Sequence, residues 1–288
     1  MMTRRNVLKA MLAAAGAAGT TDLLAQTAKT PGGLPKGYRL VWQDEFNVDG
    51  RPNPKDWTYE HGFVRNEEFQ WYQPENASCT DGKLIIESRR EKKMNPNYRK
   101  GRKGWRSSRR AAQYTSSSLT TRGLHSWKYG YFIMRGRIDT RPGIWPAWWT
   151  LGVSKPWPAN GEIDIMEYYR GDVKANVAWE KADGKADWVS TSRPIKDFHD
   201  ADWSRKFHLW AMHWTPEFIH LYLDGALLTS VDLSRTLDAL HNGFNPFHQP
   251  VYMILNQAIG GHSGGNPEHT KFPSRFEVDY VRVYQRPV

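Results

Sequence analysis

The sequence predicts an all-β protein built as an antiparallel sandwich, and three observations support this prediction. Short segments rich in β-branched and aromatic residues recur from Tyr38 onward, and many alternate apolar with polar side chains. No amphipathic helix longer than about two turns can be found among them. Asp224-Gly225 lies between two such segments and is a strong β-hairpin signal.

Candidate strands follow one another along most of the chain, separated by turn residues. In chain order they cover residues 38–46, 82–88, 115–121, 129–138, 146–152, 162–169, 174–180, 207–214, 218–225, 251–258 and 275–285. Residues 232–243 could form a short helix that ends near Asn242-Gly243. We find no internal repeat and no linker, so the 288 residues are expected to contain one domain, residues 29–288.

Residues 1–28 have the features of an export signal. Arg4 and Arg5 precede a run of small and apolar residues, a pattern that resembles the twin-arginine motif; an ordinary Sec signal is the alternative. Cleavage is expected between Ala25 and Ala28. The apolar run is shorter than the ~20 residues of a membrane span, so we expect a periplasmic or secreted protein without such a span.

Composition excludes several classes of protein. Cys79 is the single cysteine, which rules out a disulfide scaffold and a zinc site made of cysteines. The chain contains 14 Trp, 13 Tyr and 11 Phe, too many aromatic residues for a disordered protein. The sequence contains no H-E-x-x-H motif and no comparable histidine cluster, so it does not indicate a metallohydrolase.

The net charge of +10 belongs to one segment. Residues 89–110 contain 11 basic residues and one acid, so this segment alone carries the net charge of the whole chain. A nucleic-acid partner would use such a run, but an export signal and an otherwise neutral domain argue against it. The segment is either a solvated surface loop or a contact for an anionic polysaccharide.

Three carboxylates lie close together in the segment NGEIDIMEYY. On a strand, Glu162 and Asp164 share one face while Ile163 and Ile165 face the core. A β-bulge near Ile165-Met166 would return Glu167 to the face of the other two carboxylates.

Such crowded carboxylates cannot all ionise at neutral pH. Retaining glycoside hydrolysis needs this arrangement, an ionised nucleophile beside a protonated acid. The alternative interpretation is a sandwich strand whose solvent face happens to be acidic.

Tryptophans surround this acidic segment. Trp145, Trp148 and Trp149 lie upstream of it, within five residues of one another, and Trp157 stands five positions before Glu162. Indole rings stack on the apolar faces of sugars, so the combination favours a saccharide cleft. Strict alternation cannot place both Trp148 and Trp149 in the cleft, so some of these residues must belong to the core.

Together these motifs resemble the laminarinase-like branch of glycoside hydrolase family 16. The matching segments are WP-x-x-GEIDIME, YGYFIMRGRI, GIWPAWWTLG, WQDEF, NEEFQWY, DGKLIIESRRE, YTSSSLTTRG, LNQAIGG and FEVDYVRVYQ. The resemblance implies a β-jelly-roll sandwich of the concanavalin A type with a concave cleft. It also implies retaining endo-hydrolysis of β-linked glucans or galactans.

The resemblance also assigns residues to roles. Glu162 would be the nucleophile, Glu167 the acid/base and Asp164 a helper that tunes the pair. The candidate substrate-binding residues are Asn66, Arg135, Trp145, Trp149, Trp157, Trp179 and Asn256. Glu45, Gly82 and Asp279 match positions that bind a structural calcium in some relatives, although no cofactor is expected to be required.

The chain departs from the family pattern after the catalytic strand. Where laminarinases usually carry a histidine, this sequence has Ala178 followed by Trp179, so the leaving-group side of the cleft is expected to differ. Residues 89–110 are longer and more basic than the loop expected there.

We therefore expect a monomeric enzyme that hydrolyses β-1,3- or mixed β-1,3/1,4-glucan. The first alternative is a family 16 galactan hydrolase that uses the basic segment 89–110. The second is a carbohydrate-binding sandwich without catalysis, which would not need Glu162 and Glu167 together.

Overall fold

The computed structural model describes residues 33–237, 240 and 242–287. Residues 34–288 form one compact unit. The predicted export signal, residues 1–28, lies outside the described residues. Within the described ranges, no helix is both long enough and apolar enough to cross a membrane.

The described residues form 19 strands. They are β1 (Arg39–Asp44), β2 (Thr58–Tyr59), β3 (Gln70–Tyr72), β4 (Ala77–Thr80), β5 (Lys83–Ser88), β6 (Lys93–Met94), β7 (Ala111–Ala112), β8 (Tyr114–Ser116), β9 (Ser118–Thr120), β10 (Gly130–Arg137), β11 (Ile144–Gly152), β12 (Glu162–Tyr169), β13 (Asp172–Glu180), β14 (Ala186–Pro194), β15 (His208–Trp214), β16 (Phe218–Leu223), β17 (Ala226–Asp232), β18 (Val251–Ile259) and β19 (Ser274–Gln285).

Helices in the described residues are short. The α-helices are α1 (Trp105–Ser108) and α2 (Gly261–Gly264), and the 3₁₀ turns are Pro74–Asn76, Ile195–Phe198, Trp203–Arg205, Leu233–Arg235 and Pro246–His248. The helix predicted over 232–243 is represented by the 3₁₀ turn Leu233–Arg235, and residues 238, 239 and 241 of that prediction lie outside the described residues.

Two antiparallel sheets pack face to face, as the predicted jelly-roll sandwich requires. One has the order β17-β16-β15-β10-β19-β5-β4, with β1 also paired to β19; the other has the order β14-β13-β12-β11-β18-β9-β2. The inward faces of both sheets supply one core, which includes Phe132, Trp210, Trp148 and Ile163. The predicted all-β fold class is confirmed.

The outer strand of the seven-stranded sheet, β14, was not among the predicted strands. Its sequence ADWVSTSRP is mostly polar, and it pairs with β13 alone because it is an edge strand. An edge strand with little core contact lacks the apolar alternation on which strand prediction rests.

Candidate active site

The predicted bulge lies in β12. Glu162 and Asp164 pair in register with Ala178 and Asn176 of β13, and the register shifts between Asp164 and Glu167. Ile163, Ile165 and Met166 are all fully buried in the core. The bulge is therefore confirmed, and it returns Glu167 to the outer face that carries Glu162 and Asp164.

The start of β12 is fixed by Gly161. Its φ is +75°, and a Cβ at this position would lie 2.9 Å from carbon atoms of both Pro246 and Phe247. Any side chain would be strained and would also push against these residues. Glycine therefore holds the residue just before Glu162 close to the layer beneath it.

Indole and amide groups hold the three carboxylates in place. Trp157 donates from Nε1 to Glu162 Oε2 at 2.7 Å, and Trp145 donates from Nε1 to Glu167 Oε1 at 2.7 Å. Asn176 Nδ2 donates to Asp164 Oδ2 at 3.0 Å and to Glu167 Oε2 at 3.1 Å. Glu162 and Asp164 are also hydrogen-bonded to each other, so the three carboxylates form one connected network.

Burial raises the pKa of every member of the network. Burial, together with the charge of Asp164, raises the pKa of Glu167 to about 8. Burial raises the pKa of Asp164 to about 6, although hydrogen bonds from Asn176 and Glu162 lower it. Burial, Asp164 and Glu167 raise the pKa of Glu162 well above its usual range.

These shifts imply a particular charge state. Between about pH 6 and pH 8, Glu167 is protonated, while Glu162 and Asp164 share one proton and one negative charge. An acid and a carboxylate are therefore present together near neutral pH, as the sequence predicts for this segment.

The carboxylates lie in a cleft of about 620 Å³ on the outer face of the seven-stranded sheet. This volume lies within the range of small-molecule sites. We call the part lined by β18 and by residues 65–68 the β18 side, and the part lined by β13 and β14 the β14 side. Strand β12 lies between the two sides.

Four of the predicted substrate-binding residues line the cleft near the β18 side or next to β12, and Trp157 lines it as well. Trp149 donates to Asn256 Oδ1 at 2.7 Å, and Asn256 donates to the Tyr72 hydroxyl at 3.0 Å. Asn66 has a positive φ of 55°, and its backbone carbonyl accepts from His262 at 2.9 Å. The predicted residues that line the cleft are Asn66, Trp145, Trp149, Trp157 and Asn256.

A buried arginine supports the β18 side. The guanidinium of Arg65 lies 4.9 Å from the centre of the Trp149 ring and forms an ion pair with Glu60. Although burial lowers the pKa of Arg65, Glu60 and Glu68 raise it, so Arg65 stays charged. Trp149 is thus fixed by Arg65 on its ring face and by Asn256 at its indole nitrogen.

The basic segment 89–110 reinforces the same side without entering the cleft. None of its residues, all of which the structure describes, is among those that line the cleft. Arg106 donates to the backbone carbonyls of Phe63 and Val64, and Arg109 donates to those of Glu67 and Glu68. Part of the segment is therefore a brace for residues 63–68.

Trp105 anchors this brace. Its ring contacts Phe63 edge to face at a centroid distance of 5.8 Å. The guanidinium groups of Arg106 and Arg109 lie 4.7 and 5.1 Å from its centre. This geometry matches an anchor of the loop and not a stacking platform for a sugar.

Two predicted substrate-binding residues do not line the cleft. Arg135 is on β10 of the other sheet, where it pairs with Asp279 at 2.6 Å and lies over the ring of Phe207. Trp179 faces the core and contacts Phe247, because Lys174, Asn176 and Ala178 alternate with it on β13. These two assignments are wrong for this structure.

Two of the three predicted calcium residues, Glu45 and Asp279, face arginines. Glu45 receives two hydrogen bonds from Arg282, at 2.6 and 2.9 Å, and Asp279 is paired with Arg135. No group of three or more His, Cys, Asp or Glu side chains able to hold a metal is found among the described residues. This arrangement does not fit a calcium ion, and calcium binding by Glu45, Gly82 and Asp279 stays a prediction.

Several residues that line the cleft or support it were missed by sequence reasoning. Asn176 could have been found, because it alternates with Ala178 on the strand that follows the acidic one. Trp188 lies on β14, the strand that was not predicted, and Arg65 and Glu60 are brought together only by tertiary packing. No local signal marks these last three.

Known proteins resemble this chain over most of its length. A beta-glucanase of Rhodothermus marinus is 37% identical over 274 residues, which cover 86% of this chain and 85% of that protein. The catalytic domain of an endo-1,3-beta-glucanase (laminarinase) from Thermotoga petrophila superposes with a TM-score of 0.73 at 30% identity, covering 87% and 99% of the two chains.

A further solved structure comes from the endo-acting O-glycanases with which prominent members of the human gut microbiota initiate mucin breakdown. It superposes with a TM-score of 0.80 at 35% identity, covering 88% of this chain and 92% of that chain. The model of the glycosyl hydrolases family 16 matches residues 66–282. The chain therefore belongs to glycosyl hydrolase family 16 and is an O-glycosyl hydrolase.

Proposed function

We propose that the protein is a monomeric endo-hydrolase of β-1,3- or mixed β-1,3/1,4-glucan that acts with retention of configuration. The observation that carries this proposal is the network of Glu162, Asp164 and Glu167, buried in a cleft and flanked by two indole N–H donors. The similarity to a beta-glucanase and to a laminarinase domain supports the choice of glucan.

In the first chemical step, Glu167 donates its proton to the glycosidic oxygen while Glu162 attacks the anomeric carbon. The bond to the leaving sugar breaks, and an ester forms between Glu162 and the glycone. Glu162 and Asp164 share one proton, and Glu162 attacks as a carboxylate, so this proton has to lie on Asp164 during the attack.

In the second step, the Glu167 carboxylate takes a proton from water, and the resulting hydroxide attacks the anomeric carbon. Glu162 leaves as a carboxylate, and two inversions at the same carbon restore the original configuration. Asn176 bridges Asp164 and Glu167, so it keeps the helper and the acid/base in a fixed relation during both steps.

The β18 side is the part that we assign to the glycone. Trp145 and Trp149 offer indole surface next to the carboxylates, and Asn66 and Asn256 offer amide groups. The cleft also reaches β14, so it crosses four strand spacings of about 4.8 Å each. A cleft of this width suits a polymer chain that is cut internally.

The proposal is tested with Glu162→Gln and Glu167→Gln on laminarin and lichenan. Glu162→Gln should lose all measurable turnover on both. Glu167→Gln should lose about 10²- to 10⁴-fold in kcat/KM on these glucans but little in kcat/KM on β-laminaribiosyl fluoride, because fluoride leaves without a proton. Its kcat on the fluoride should still fall, because the second step then lacks its base. NMR of the first product should show the β-anomer.

Glu75→Gln is the matched control, because Glu75 is an exposed glutamate outside the cleft. It should keep wild-type turnover. Near-normal hydrolysis by Glu162→Gln, or an α-anomer as the first product, would refute the proposed mechanism. Normal chemistry on a galactan but none on either glucan would refute the proposed substrate.

A second candidate substrate is an anionic β-galactan or O-glycan. The similarity to a mucin O-glycanase structure favours it, as do basic side chains in segment 89–110 that have no acidic partner. Exposed members of this group are Lys92, Lys93, Lys100, Arg102 and Lys103.

Replacing Lys93, Lys100, Arg102 and Lys103 by Gln tests this candidate. KM for a sulfated galactan should rise several-fold while KM for laminarin stays the same. Arg109 is left unchanged in the variant because it braces residues 67 and 68. Equal effects on the sulfated and the neutral polymer would exclude a charge contact.

We also propose that residues 1–28 direct export, by the twin-arginine route. The pair Arg4 and Arg5 ahead of the apolar run supports this. Arg4→Lys/Arg5→Lys should leave the enzyme in the cytoplasm of its host, whereas a Sec signal would tolerate this change.

A further inference from the structure

We propose that Trp188 is the stacking platform of a saccharide subsite on the β14 side. This subsite would bind the leaving group and, after its departure, a sugar acceptor. The inference rests on the proposed glycosidase chemistry, because it takes Glu162 and the β18 side as the place of the glycone. It adds a binding residue that neither the family pattern nor the sequence motifs indicate.

Exposure singles out Trp188 among the tryptophans. The structure describes all 14 of them, and only Trp157 and Trp188 are exposed, at 51% and 44%. Both line the cleft. Trp157 donates to Glu162, which explains its position. A second indole open to solvent in the same cleft offers apolar surface that a sugar ring can cover.

Trp188 does not act as an anchor for the fold. No ring–ring or cation–π contact in the described part of the chain involves it, in contrast to Trp105, which has three. Its neighbours Asp187 and Ser190 are polar or exposed, so it belongs to no apolar cluster. Its ring faces are therefore available to a sugar.

The strand register places Trp188 next to the reaction centre. Ala178 on β13 pairs with Glu162 on one side and with Trp188 on the other. Directly opposed residues project from the same face of a sheet, so the three side chains form one row. Two strand spacings separate Glu162 from Trp188, about 9.6 Å.

Ala178 is the smallest side chain in this row. It is a single methyl group, 1% exposed, so the atoms around it cover it, and it places no bulky side chain of its own between Glu162 and Trp188. A histidine, as expected from the family pattern, would fill that space. A sugar joined to the bond under attack can therefore extend over Ala178 and reach the indole.

The surroundings of Trp188 have polar groups for sugar hydroxyls. Ser190, Ser192 and Lys174 line the same side of the cleft, and Lys174 Nζ donates to Ser192 Oγ at 2.8 Å. An apolar ring face beside hydroxyl and ammonium groups matches the amphipathic surface of a pyranose.

An acceptor held here would change the second step of the reaction. A hydroxyl of the acceptor sugar gives its proton to Glu167, and its oxygen attacks the anomeric carbon of the ester on Glu162. The bond to Glu162 breaks, a new glycosidic bond forms, and no other reagent is consumed. The product is a longer oligosaccharide in place of a hydrolysed one.

Trp188→Ala and Trp188→Phe test the inference on two substrates that differ in their leaving group. One is laminarihexaose, whose leaving group is long enough to reach β14; the other is β-laminaribiosyl fluoride, whose leaving group is a single atom. Trp188→Ala should lose about 10-fold in kcat/KM on the hexaose and less than twofold on the fluoride. Trp188→Phe should keep most of the activity on both.

The same variants report on acceptor binding. With fluoride as donor and added laminaribiose as acceptor, Trp188→Ala should form several-fold less transfer product relative to hydrolysis. Leu227→Ala is the control, because Leu227 is an exposed apolar residue on β17 of the other sheet. It should behave as wild type, and thermal melting should show that all variants are folded.

An equal loss on the hexaose and on the fluoride, or no loss on either, would overturn the inference. So would a Trp188→Phe variant as impaired as Trp188→Ala. If the wild type hydrolyses a galactan and no glucan, the proposed substrate is wrong, but the proposed role of Trp188 is not refuted. The same comparison then uses that galactan oligosaccharide and the fluoride of its glycone.

Discussion

The two sides of the cleft are built differently. On the β18 side, Trp149 is fixed by Arg65 and Asn256, and residues 63–68 are held by arginines of the basic segment. On the β14 side, Trp188 stands exposed on an edge strand whose side chains are mostly polar. One wall is held by side-chain contacts on several sides, whereas the strand of the other wall pairs with β13 alone and has a further hydrogen bond, from Thr191 to the Leu228 carbonyl of β17.

This difference indicates that the glycone side has to bind its sugar more precisely than the leaving-group side. The glycone must present its anomeric carbon to Glu162 within a fraction of an ångström, so its wall has to be preorganised. The leaving sugar only has to place its oxygen near Glu167, and it must then depart. A loosely supported, amphipathic wall serves that purpose without holding the product.

Among the changes that test this comparison, Arg109→Ala should have the largest effect, which is a loss of activity. It removes the hydrogen bonds to the carbonyls of Glu67 and Glu68, so the Asn66 loop is no longer fixed. We expect kcat/KM to fall about 10- to 100-fold, because small displacements of binding groups cost rates of this order. The loss should be similar on laminarihexaose and on β-laminaribiosyl fluoride.

Arg110→Ala is the matched control, since Arg110 is exposed and lies outside the brace. It should retain wild-type activity. A loss by Arg109→Ala that appears on the hexaose alone would show that the brace serves the leaving-group side, which would reverse the comparison.

Glu167→Gln should have the next largest effect, which is a higher stability of the folded protein at alkaline pH. Burial and Asp164 raise the pKa of Glu167 to about 8 in the folded protein, against about 4.3 in an unfolded chain. The folded state then binds more protons between about pH 4 and pH 8, so the free energy of unfolding falls as the pH rises through this range. Glutamine cannot ionise, so the free energy of unfolding of the Glu167→Gln variant does not fall in this way.

Thermal melting checks this expectation. The variant should melt above the wild type at pH 8.5, and the two melting temperatures should converge near pH 4.5. A constant difference at both pH values would mean that Glu167 is not the group whose ionisation destabilises the site.

Chelation should have the smallest effect. Because Glu45 and Asp279 are paired with arginines in the other sheet, neither side of the cleft depends on calcium in this structure. EDTA should change the melting temperature by less than about 1 °C and should leave laminarin hydrolysis unaltered. A drop of several degrees that added calcium reverses would restore the calcium prediction.

Strands with an apolar inward face were predictable from the sequence. Alternation in β12 predicted which residues are core, and the crowding of three acids predicted a bulge near Ile165-Met166. The edge strand β14 was not predictable, because it has too few core positions to impose a period. Trp188 was missed with it.

The residues of the site were also predictable only where the local sequence carries the signal. Trp157, five positions before Glu162, and Trp145 on the preceding strand were found from the local sequence. Arg135 and Trp179 were misassigned because strand direction and sheet membership, not proximity in sequence, decide which face a side chain occupies. The pairing of Arg65 with Glu60 depends on packing between distant segments and left no sequence signal.

The bulge between Asp164 and Glu167 makes the chemistry depend on residue number as well as residue identity. Removing the single codon for Met166 would leave all three acids in the sequence. Strict alternation would then place the former Glu167 directly after Ile165, on the face of Glu162 and Asp164, so the strand would reach the same arrangement without a bulge. Deletion of Ile163 would instead put Glu162 and Asp164 on opposite faces, so a one-codon deletion should inactivate the enzyme only where it separates the acids.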